Sequence, residues 1–174
     1  MRRTSFADMP CTIARTLEVV GEWWSLLIVR DAFLGVTRFD DWQRRLGIAR
    51  NVLASRLDHL VEDGIFERRL YQDNPPRHEY LLTDKGRDLA PVLRALRTWG
   101  DRHAPTPDGP TTVLVHDACG HVCESQAICS HCGEPLGRDT HVVPGPGCAD
   151  PSFVGEGRPA ERAPADAGAA APGR

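Results

Sequence analysis

The sequence has no apolar stretch long enough to cross a membrane. Its most apolar run, Trp23 to Val29, is far shorter than the roughly 20 residues that a membrane helix needs. The first ten residues also lack the apolar core and the cleavage site of a secretion signal. We therefore expect a cytoplasmic protein, in which cysteines are normally reduced.

A positive net charge is missing as well, because the 174 residues carry a net charge of −3. The charges are unevenly distributed, however. Residues 1–103 contain 17 Lys and Arg against 15 Asp and Glu, or +2, whereas residues 104–174 contain 4 against 9, or −5. Between positions 44 and 56 there are four arginines and no acid. Since local clusters rather than the total charge attract nucleic acid, the composition does not exclude DNA binding.

The sequence also lacks the short motifs of the common enzyme classes. It contains neither a recognisable pair of nucleophile and base nor a glycine-rich loop that would hold phosphate. We therefore do not expect the chain to be an enzyme, and its function has to be sought in binding.

Hydrophobic periodicity predicts an α+β domain over residues 1–103. Four short helical patterns come first, the last of them over 49–62. Two strand patterns follow at 65–71 and 78–82, joined by a proline-containing turn. A long helix over 84–102 comes last, with Pro91 marking a kink or a restart. This order is that of a winged helix-turn-helix, which is mostly helical with a two-stranded wing.

The helix over 49–62 has the pattern of a DNA-reading helix. Aliphatic residues recur on one face at the spacing of a buried stripe, and the short polar side chains of Asn51 and Ser55 lie on the opposite face. Asn can pair with adenine through two hydrogen bonds, and Ser suits most base edges. Gly47 allows the tight turn that precedes this helix. The pattern therefore favours insertion into the major groove of DNA.

Arginines flank this helix and occupy the wing, where they suit phosphate contacts. Each arginine alone could belong to a solvated surface, Arg56 could form an internal ion pair, and Glu67 could neutralise an arginine of the wing. The order of the elements favours DNA binding over these alternatives. The predicted DNA-binding residues are Arg44, Arg45, Arg50, Asn51, Ser55, Arg56, Arg68, Arg69 and Arg77.

The last helix of this domain carries a broad apolar face. It consists of Leu89, Val92, Leu93, Leu96 and Trp99, which is more apolar surface than the helix of a small domain needs for its own packing. We expect this face to form a homodimer, although ordinary core packing would also explain it. Two-fold symmetry would then place two DNA half-sites one helical turn apart.

Three segments resemble regulators of the HxlR type, a winged helix-turn-helix family. They are Cys11 with ARTLEVVGEWWSLLIVRDAFLG, then RFDDWQRRLGIARNVLASRLDHLVEDGIFERR, then PPRHEYLLTDKGRDLAPVLRALRTWGDRH, and they cover residues 11–103 almost without a gap. The resemblance implies a homodimeric transcriptional repressor or activator that binds an inverted repeat in double-stranded DNA. The sequence departs from the family at Glu22-Trp23, where Gly-Lys is usual, which removes a basic residue near the DNA.

Beyond residue 103 the composition predicts three further segments. Residues 104–112 contain several prolines and form a stiff linker. Residues 113–147 contain a cysteine cluster and form a small module. Residues 148–174 are rich in Pro, Gly, Ala and charge, and we expect them to be disordered.

A short repeat in the module predicts a structural zinc site. His116-Asp-Ala-Cys119-Gly parallels Cys129-Ser-His-Cys132-Gly, and a ligand, two residues, a cysteine and a glycine make a zinc knuckle. We therefore expect a zinc-ribbon-like module whose ligands are His116, Cys119, Cys129 and Cys132. Cys123 is the alternative fourth ligand, and free thiols without metal are the other alternative.

Cys11 precedes the first helix, and a helix N-terminus favours the reactive thiolate. It also matches the position of a thiol sensor in some regulators that this chain resembles, although a small cap residue would explain it equally well. Two alternative functions follow. The first is a redox- or electrophile-sensing regulator that uses Cys11 or Cys123. The second is an adaptor that binds protein partners rather than DNA. Cys148 has no predicted role.

Overall fold

The structure, a computed structural model, describes residues 5–137 and 139–148. The chain divides between Ser125 and Gln126 into two compact units. Apart from Cys148, the predicted tail lies outside the described residues. The elements are α1 (Thr12–Val20), α2 (Trp23–Phe33), α3 (Phe39–Leu46), α4 (Arg50–Glu62), β1 (Phe66–Gln72), β2 (Arg77–Leu82), α5 (Asp84–Arg87), α6 (Ala90–His103), β3 (Leu114–His116) and β4 (His121–Cys123).

The core of the first unit lies where α2, α3 and α4 meet the base of the wing. Leu53, Leu57 and Leu60 recur on one face of α4 and are fully buried, as their spacing predicted. Trp42 is the buried residue of α3, and its Nε1 donates a hydrogen bond to the carbonyl of Ile28 at 3.1 Å. This bond satisfies the polar atom of a side chain that is otherwise embedded in apolar surroundings.

Glycines in the left-handed region end α3 and follow α4. Gly47 has a φ of 63° and its N–H donates to the carbonyl of Gln43 at 3.0 Å, which closes the last turn of α3. Gly64 has a φ of 68° and lies two residues after the end of α4. Since other residues adopt this backbone region only at a cost, both glycines fix the lengths of the helices around them.

The wing is an antiparallel hairpin of β1 and β2. Its register runs from Phe66 opposite Leu82 to Gln72 opposite Arg77. The base of the wing is also tied to the loop before α3, because the N–H of Tyr80 donates to the carbonyl of Thr37 at 2.8 Å. The predicted wing is confirmed, with each strand extended by one residue at the tip.

The chain after the wing forms two helices rather than the single helix that the pattern predicted. Thr83 caps α5, since its Oγ1 accepts a hydrogen bond from the N–H of Gly86 at 3.1 Å. The helix then stops, and α6 begins at Ala90 with Pro91 in its first turn. Proline fits the first turn of a helix because the N–H that it lacks has no partner there. Of the two alternatives that the sequence left open at Pro91, a kink or a restart of the helix, the structure shows the restart.

The cysteine-containing region begins with a short hairpin. In β3 and β4, Leu114 lies opposite Cys123 and His116 lies opposite His121. In the second unit, Ile128 and Pro135 form an isolated antiparallel bridge. The predicted module bounds of 113–147 stay a prediction. Among the described residues, no helix combines the length and the apolar character that crossing a membrane requires.

Candidate nucleic-acid interface

The interface is built around the exposed face of α4. Asn51 and Ser55 are both exposed, on the side of the helix opposite the buried leucines. At about 100° per residue, Arg50 and Arg56 fall on the two flanks of this exposed face. The helix therefore presents short hydrogen-bonding side chains between two arginines, as predicted from its sequence.

Arg50 is held against α3 on the first flank. Its Nη1 lies 2.8 Å from Oε1 of Gln43 and 3.3 Å from Oδ1 of Asp40. Its guanidinium carbon also lies 4.9 Å from the ring centroid of Phe39, in a cation–π contact. Arg50 remains about two-thirds exposed. It is therefore oriented by its partners without being withdrawn from solvent.

Two arginines on the neighbouring helix α3 differ in how firmly their side chains are held. Arg44 pairs with Asp41 one turn earlier, and its side chain is largely exposed. Arg45 Nε lies 3.1 Å from Oδ2 of Asp31, a carboxylate that is completely buried. Arg30 binds the other oxygen of Asp31 at 2.9 Å. A buried carboxylate needs such partners, so Arg45 joins α3 to α2 in addition to exposing half of its side chain.

Arg56 on the second flank forms the internal ion pair that the sequence left open. Its Nη2 lies 3.4 Å from Oε2 of Glu22, the residue that precedes α2. Only a quarter of the Arg56 side chain is exposed. Arg56 therefore positions α4 against the start of α2 and is a poorer candidate for a phosphate contact than Arg50.

The arginines of the wing pair with acids on neighbouring elements. Arg69 lies 2.6 Å from Glu79 on the facing strand, so Glu79 rather than Glu67 neutralises it. Arg68 lies 4.0 Å from Asp58 of α4, so the wing lies beside α4. Arg77 is exposed at the start of β2.

Tyr80 lies where the wing meets α4. Burial raises the pKa of the Tyr80 hydroxyl, the Asp58 carboxylate raises it further, and Arg68 lowers it in part. Its ring also meets that of Trp42 edge to face, with the centroids 6.1 Å apart. Tyr80 therefore couples the wing to both α3 and α4.

A polar cleft of about 620 Å³ opens between α3, the start of α4 and the tip of the wing. Arg38, Arg44, Arg50 and Arg77 line it together with Asp40 and Asp41, among others. Arg38 is not among the residues predicted from the sequence, and its guanidinium carbon lies 4.6 Å from the ring centroid of Tyr71. An arginine at a helix N-cap is electrostatically unfavourable, and this signal could have revealed it.

The segment of the chain that forms this interface matches a known protein family. A model described as HxlR-like helix-turn-helix matches residues 19–108, which include α2 to α6. The chain belongs to this family. It is therefore a DNA-binding transcriptional regulator of the helix-turn-helix type, as its sequence predicted.

Similar proteins of known sequence or structure support this assignment. The chain is 49% identical over 137 residues to Rv3095 of Mycobacterium tuberculosis, an uncharacterized HTH-type transcriptional regulator, covering 78% of this chain and 87% of Rv3095. The crystal structure of PA1607, a proposed transcription factor, matches this chain with a TM-score of 0.70. The two sequences are 43% identical, and the match covers 80% of this chain and 98% of PA1607. The structure of the redox regulator HypR in its reduced form matches with a TM-score of 0.51. Its sequence is 32% identical, and the match covers 54% of this chain and 94% of HypR.

The five residues of the predicted dimer face fall into two groups. Leu89 is buried and Leu93 packs against the core, so their apolar surface is used within the chain. Val92, Leu96 and Trp99 remain exposed on α6, at 39%, 49% and 62%. The predicted face is therefore narrowed to three residues, which we call the α6 face.

The first half of the cysteine repeat, in the first unit, forms a tight turn. The N–H groups of Cys119 and Gly120 both donate to the carbonyl of His116, and Gly120 has a φ of 70°. The Sγ of Cys119 lies 3.4 Å from Nδ1 of His116. Two such ligands of one tetrahedral zinc ion would be about 3.5 Å apart. Cys123 is half-buried on β4.

The second half of the repeat, in the second unit, has the same local form. The N–H of Gly133, with a φ of 78°, donates to the carbonyl of Cys129 at 2.8 Å. The backbone N–H groups of Cys132 and His131 lower the pKa of the Cys129 thiol. Among the described residues, however, no group of three or more His, Cys, Asp or Glu side chains is placed to hold a metal ion.

Proposed function

We propose that the chain regulates transcription, as a repressor or an activator, by inserting α4 into the major groove of an operator. The observation that carries this proposal is the exposed face of Asn51 and Ser55, which lies between two arginine-bearing flanks and opposite a fully buried leucine stripe. Side chains of this type read base edges. The protein would act in the cytoplasm, where bacterial chromosomal DNA is found.

The polar cleft supplies the phosphate contacts in this proposal. Arg38, Arg44, Arg50 and Arg77 come from three different parts of the chain and line a single cleft next to the reading helix. Phosphate contacts fix the position of a protein on DNA without reading its sequence. We therefore assign Arg50 and Arg77 to phosphate contact, and Arg45 and Arg56 chiefly to holding α3 and α4 in place.

We further propose that the protein binds an inverted repeat as a homodimer. The α6 face of Val92, Leu96 and Trp99 is one apolar surface that a second copy could cover. On α1, Ile13 and Leu17 are also exposed. Because a symmetric dimer presents two copies of α4, it would require two half-sites about one helical turn apart.

The test is selection of bound duplexes from random-sequence DNA by the full-length protein, followed by footprinting of the selected operator. We expect a protected inverted repeat. Asn51→Ala should weaken discrimination at one base pair by about 1–3 kcal/mol. Arg77→Ala should weaken binding to all sequences alike and reduce the salt dependence. Failure to select any inverted repeat would overturn the proposal.

We also propose a structural zinc ion held by His116, Cys119, Cys129 and Cys132, with Cys123 as the alternative fourth ligand. Its support is the sequence repeat and the matching form of the two turns, each taken by itself. Zinc would stabilise a region with few large apolar side chains. Elemental analysis of purified protein should find one zinc per chain, and Cys132→Ser should lower this amount. Full-length protein that contains no zinc after reducing purification would contradict the proposal.

Thiol sensing through Cys11 is the second candidate function. Cys11 occupies the N-cap position of α1 and is partly exposed, and the similar protein HypR is described as a redox regulator. A sensor would lose operator binding, or gain it, on treatment with diamide. If Cys11→Ser responds to diamide as the unmodified sequence does, Cys11 is not the sensor.

A further inference from the structure

Trp23, the first residue of α2, is the most exposed large apolar side chain among the described residues, at 88%. The other tryptophans of α2 and α3 are less exposed, since Trp42 is fully buried and Trp24 packs against the core. An indole is among the largest apolar groups that a protein can bury. At 88% exposure, nearly the whole indole of Trp23 is available to contact a bound molecule.

The start of α2 lies beside the reading helix. Glu22, which immediately precedes Trp23, pairs with Arg56 of α4 at 3.4 Å. Arg56 lies on one flank of the face that carries Asn51 and Ser55, and Arg50 with the polar cleft lies on the other. Trp23 therefore stands on the flank of α4 that the cleft does not reach.

A helix in the major groove is bordered by two sugar–phosphate backbones, one on each side. The cleft provides arginines for the backbone on its own side. On the opposite side, the charge of Arg56 is shared with Glu22, and only a quarter of the Arg56 side chain is exposed. Among the described residues, Trp23 therefore offers an exposed indole beside an arginine that is already paired and mostly buried.

We propose that Trp23 packs against the sugar–phosphate backbone of the operator on this second side of the groove. The proposal rests on the proposed function, and it assigns a residue that the arginine pattern does not include. The apolar body of the indole covers deoxyribose, and its Nε1–H, which can only donate, hydrogen bonds to a phosphate oxygen. Because an uncharged contact releases no counterion, it adds affinity that does not depend on salt.

The experiment compares Trp23→Ala, Trp23→Phe and Trp23→Lys in the full-length protein, titrated against the selected operator over a series of KCl concentrations. We expect Trp23→Ala to weaken binding about tenfold and Trp23→Phe about threefold, since the ring is kept but the N–H is lost. Neither should change the slope of log K against log salt, whereas Trp23→Lys should steepen it by about 0.9 per half-site. Tryptophan fluorescence should change on DNA binding in the unmodified protein and much less in Trp23→Phe.

Leu34→Ala is the matched control, because Leu34 is an exposed apolar residue at the other end of α2, at 59%. It should bind as the unmodified protein does. If the unmodified protein protects its operator and Trp23→Ala binds equally well, this inference fails and the proposed function stands. A shift of Trp23→Ala from dimer to monomer would mean that a second chain covers the indole, and this would also overturn the inference. Failure of the unmodified protein to select an operator would instead overturn the proposed function.

Discussion

Replacing Asp40 with Asn should strengthen DNA binding, even though it removes an ion pair. Asp40 Oδ1 lies 3.3 Å from Nη1 of Arg50, and both side chains are more than half exposed, at 61% and 66%. An ion pair this exposed contributes only about 0.2–1 kcal/mol to stability. A phosphate that approaches Arg50 has to displace this carboxylate and is also repelled by it. Gln43 would continue to orient Arg50 at 2.8 Å after the change.

The expected gain in binding free energy has two contributions, the loss of the repulsion between Asp40 and the phosphate and the loss of the competing ion pair. Two unit charges about 6 Å apart in water repel each other by about 0.7 kcal/mol, and salt reduces this value. Loss of the competing ion pair adds up to about 1 kcal/mol. The sum of about 1–1.5 kcal/mol corresponds to roughly five- to tenfold tighter binding per half-site. Because Arg50 would then neutralise a phosphate fully, the salt dependence should also become steeper.

Fluorescence anisotropy with a labelled operator duplex, over a series of salt concentrations, measures both quantities. Asp101→Asn is the matched control, because it removes the same charge from an exposed ion pair, with Arg97 at 3.3 Å, on α6. The double variant Asp40→Asn/Arg50→Ala should lose the gain. If Asp40→Asn binds no more tightly than Asp101→Asn, Asp40 does not compete with phosphate and the charge argument is wrong.

Three further predictions concern stability and assembly. Asp31→Asn should lower the free energy of unfolding by about 2–3 kcal/mol, measured by urea denaturation, because it removes the buried partner of two half-exposed arginines. Since the pKa of Tyr80 is raised in the folded state, the stability tied to its proton is present below pH 10 and is lost at more alkaline pH. Alkaline titration of unfolding should therefore show a loss that Tyr80→Phe reduces. Leu96→Asp should convert dimers to monomers in sedimentation velocity, whereas Leu34→Asp should not.

Much of the fold could be predicted because its signals are local. The buried leucines of α4 repeat at the helical period, and Gly47 and Gly64 stand where the chain needs a positive φ. Pro91 was compatible with either a kink or a restart. The structure shows a restart, and the short helix before it is tied to a distant part of the chain, since Oγ1 of its cap Thr83 donates to the carbonyl of Gly64, 19 residues away, at 2.6 Å. Such a contact leaves no trace in local periodicity.

The division of labour among the arginines could not be predicted for the same reason. Arg45 and Arg50 look alike in sequence, yet one binds a completely buried carboxylate on α2 and the other faces a solvent-exposed cleft. The partner of Arg69 proved to be Glu79 across the hairpin rather than Glu67 on the same strand. Ion-pair partners are decided by which elements pack together, and the sequence pattern indicates only that the elements exist.

The hydrogen bond between Tyr80 and Thr37 at the base of the wing has a mechanical consequence. It joins β2 to the loop that leads into α3, while Arg68 and Asp58 face each other between the wing and α4. These contacts connect the wing to the start of α3 and to α4 within one chain, so we expect the wing and α4 to move as one unit. In the homodimer that we propose, a signal that changes DNA affinity would therefore act on the distance or angle between the two copies of this unit.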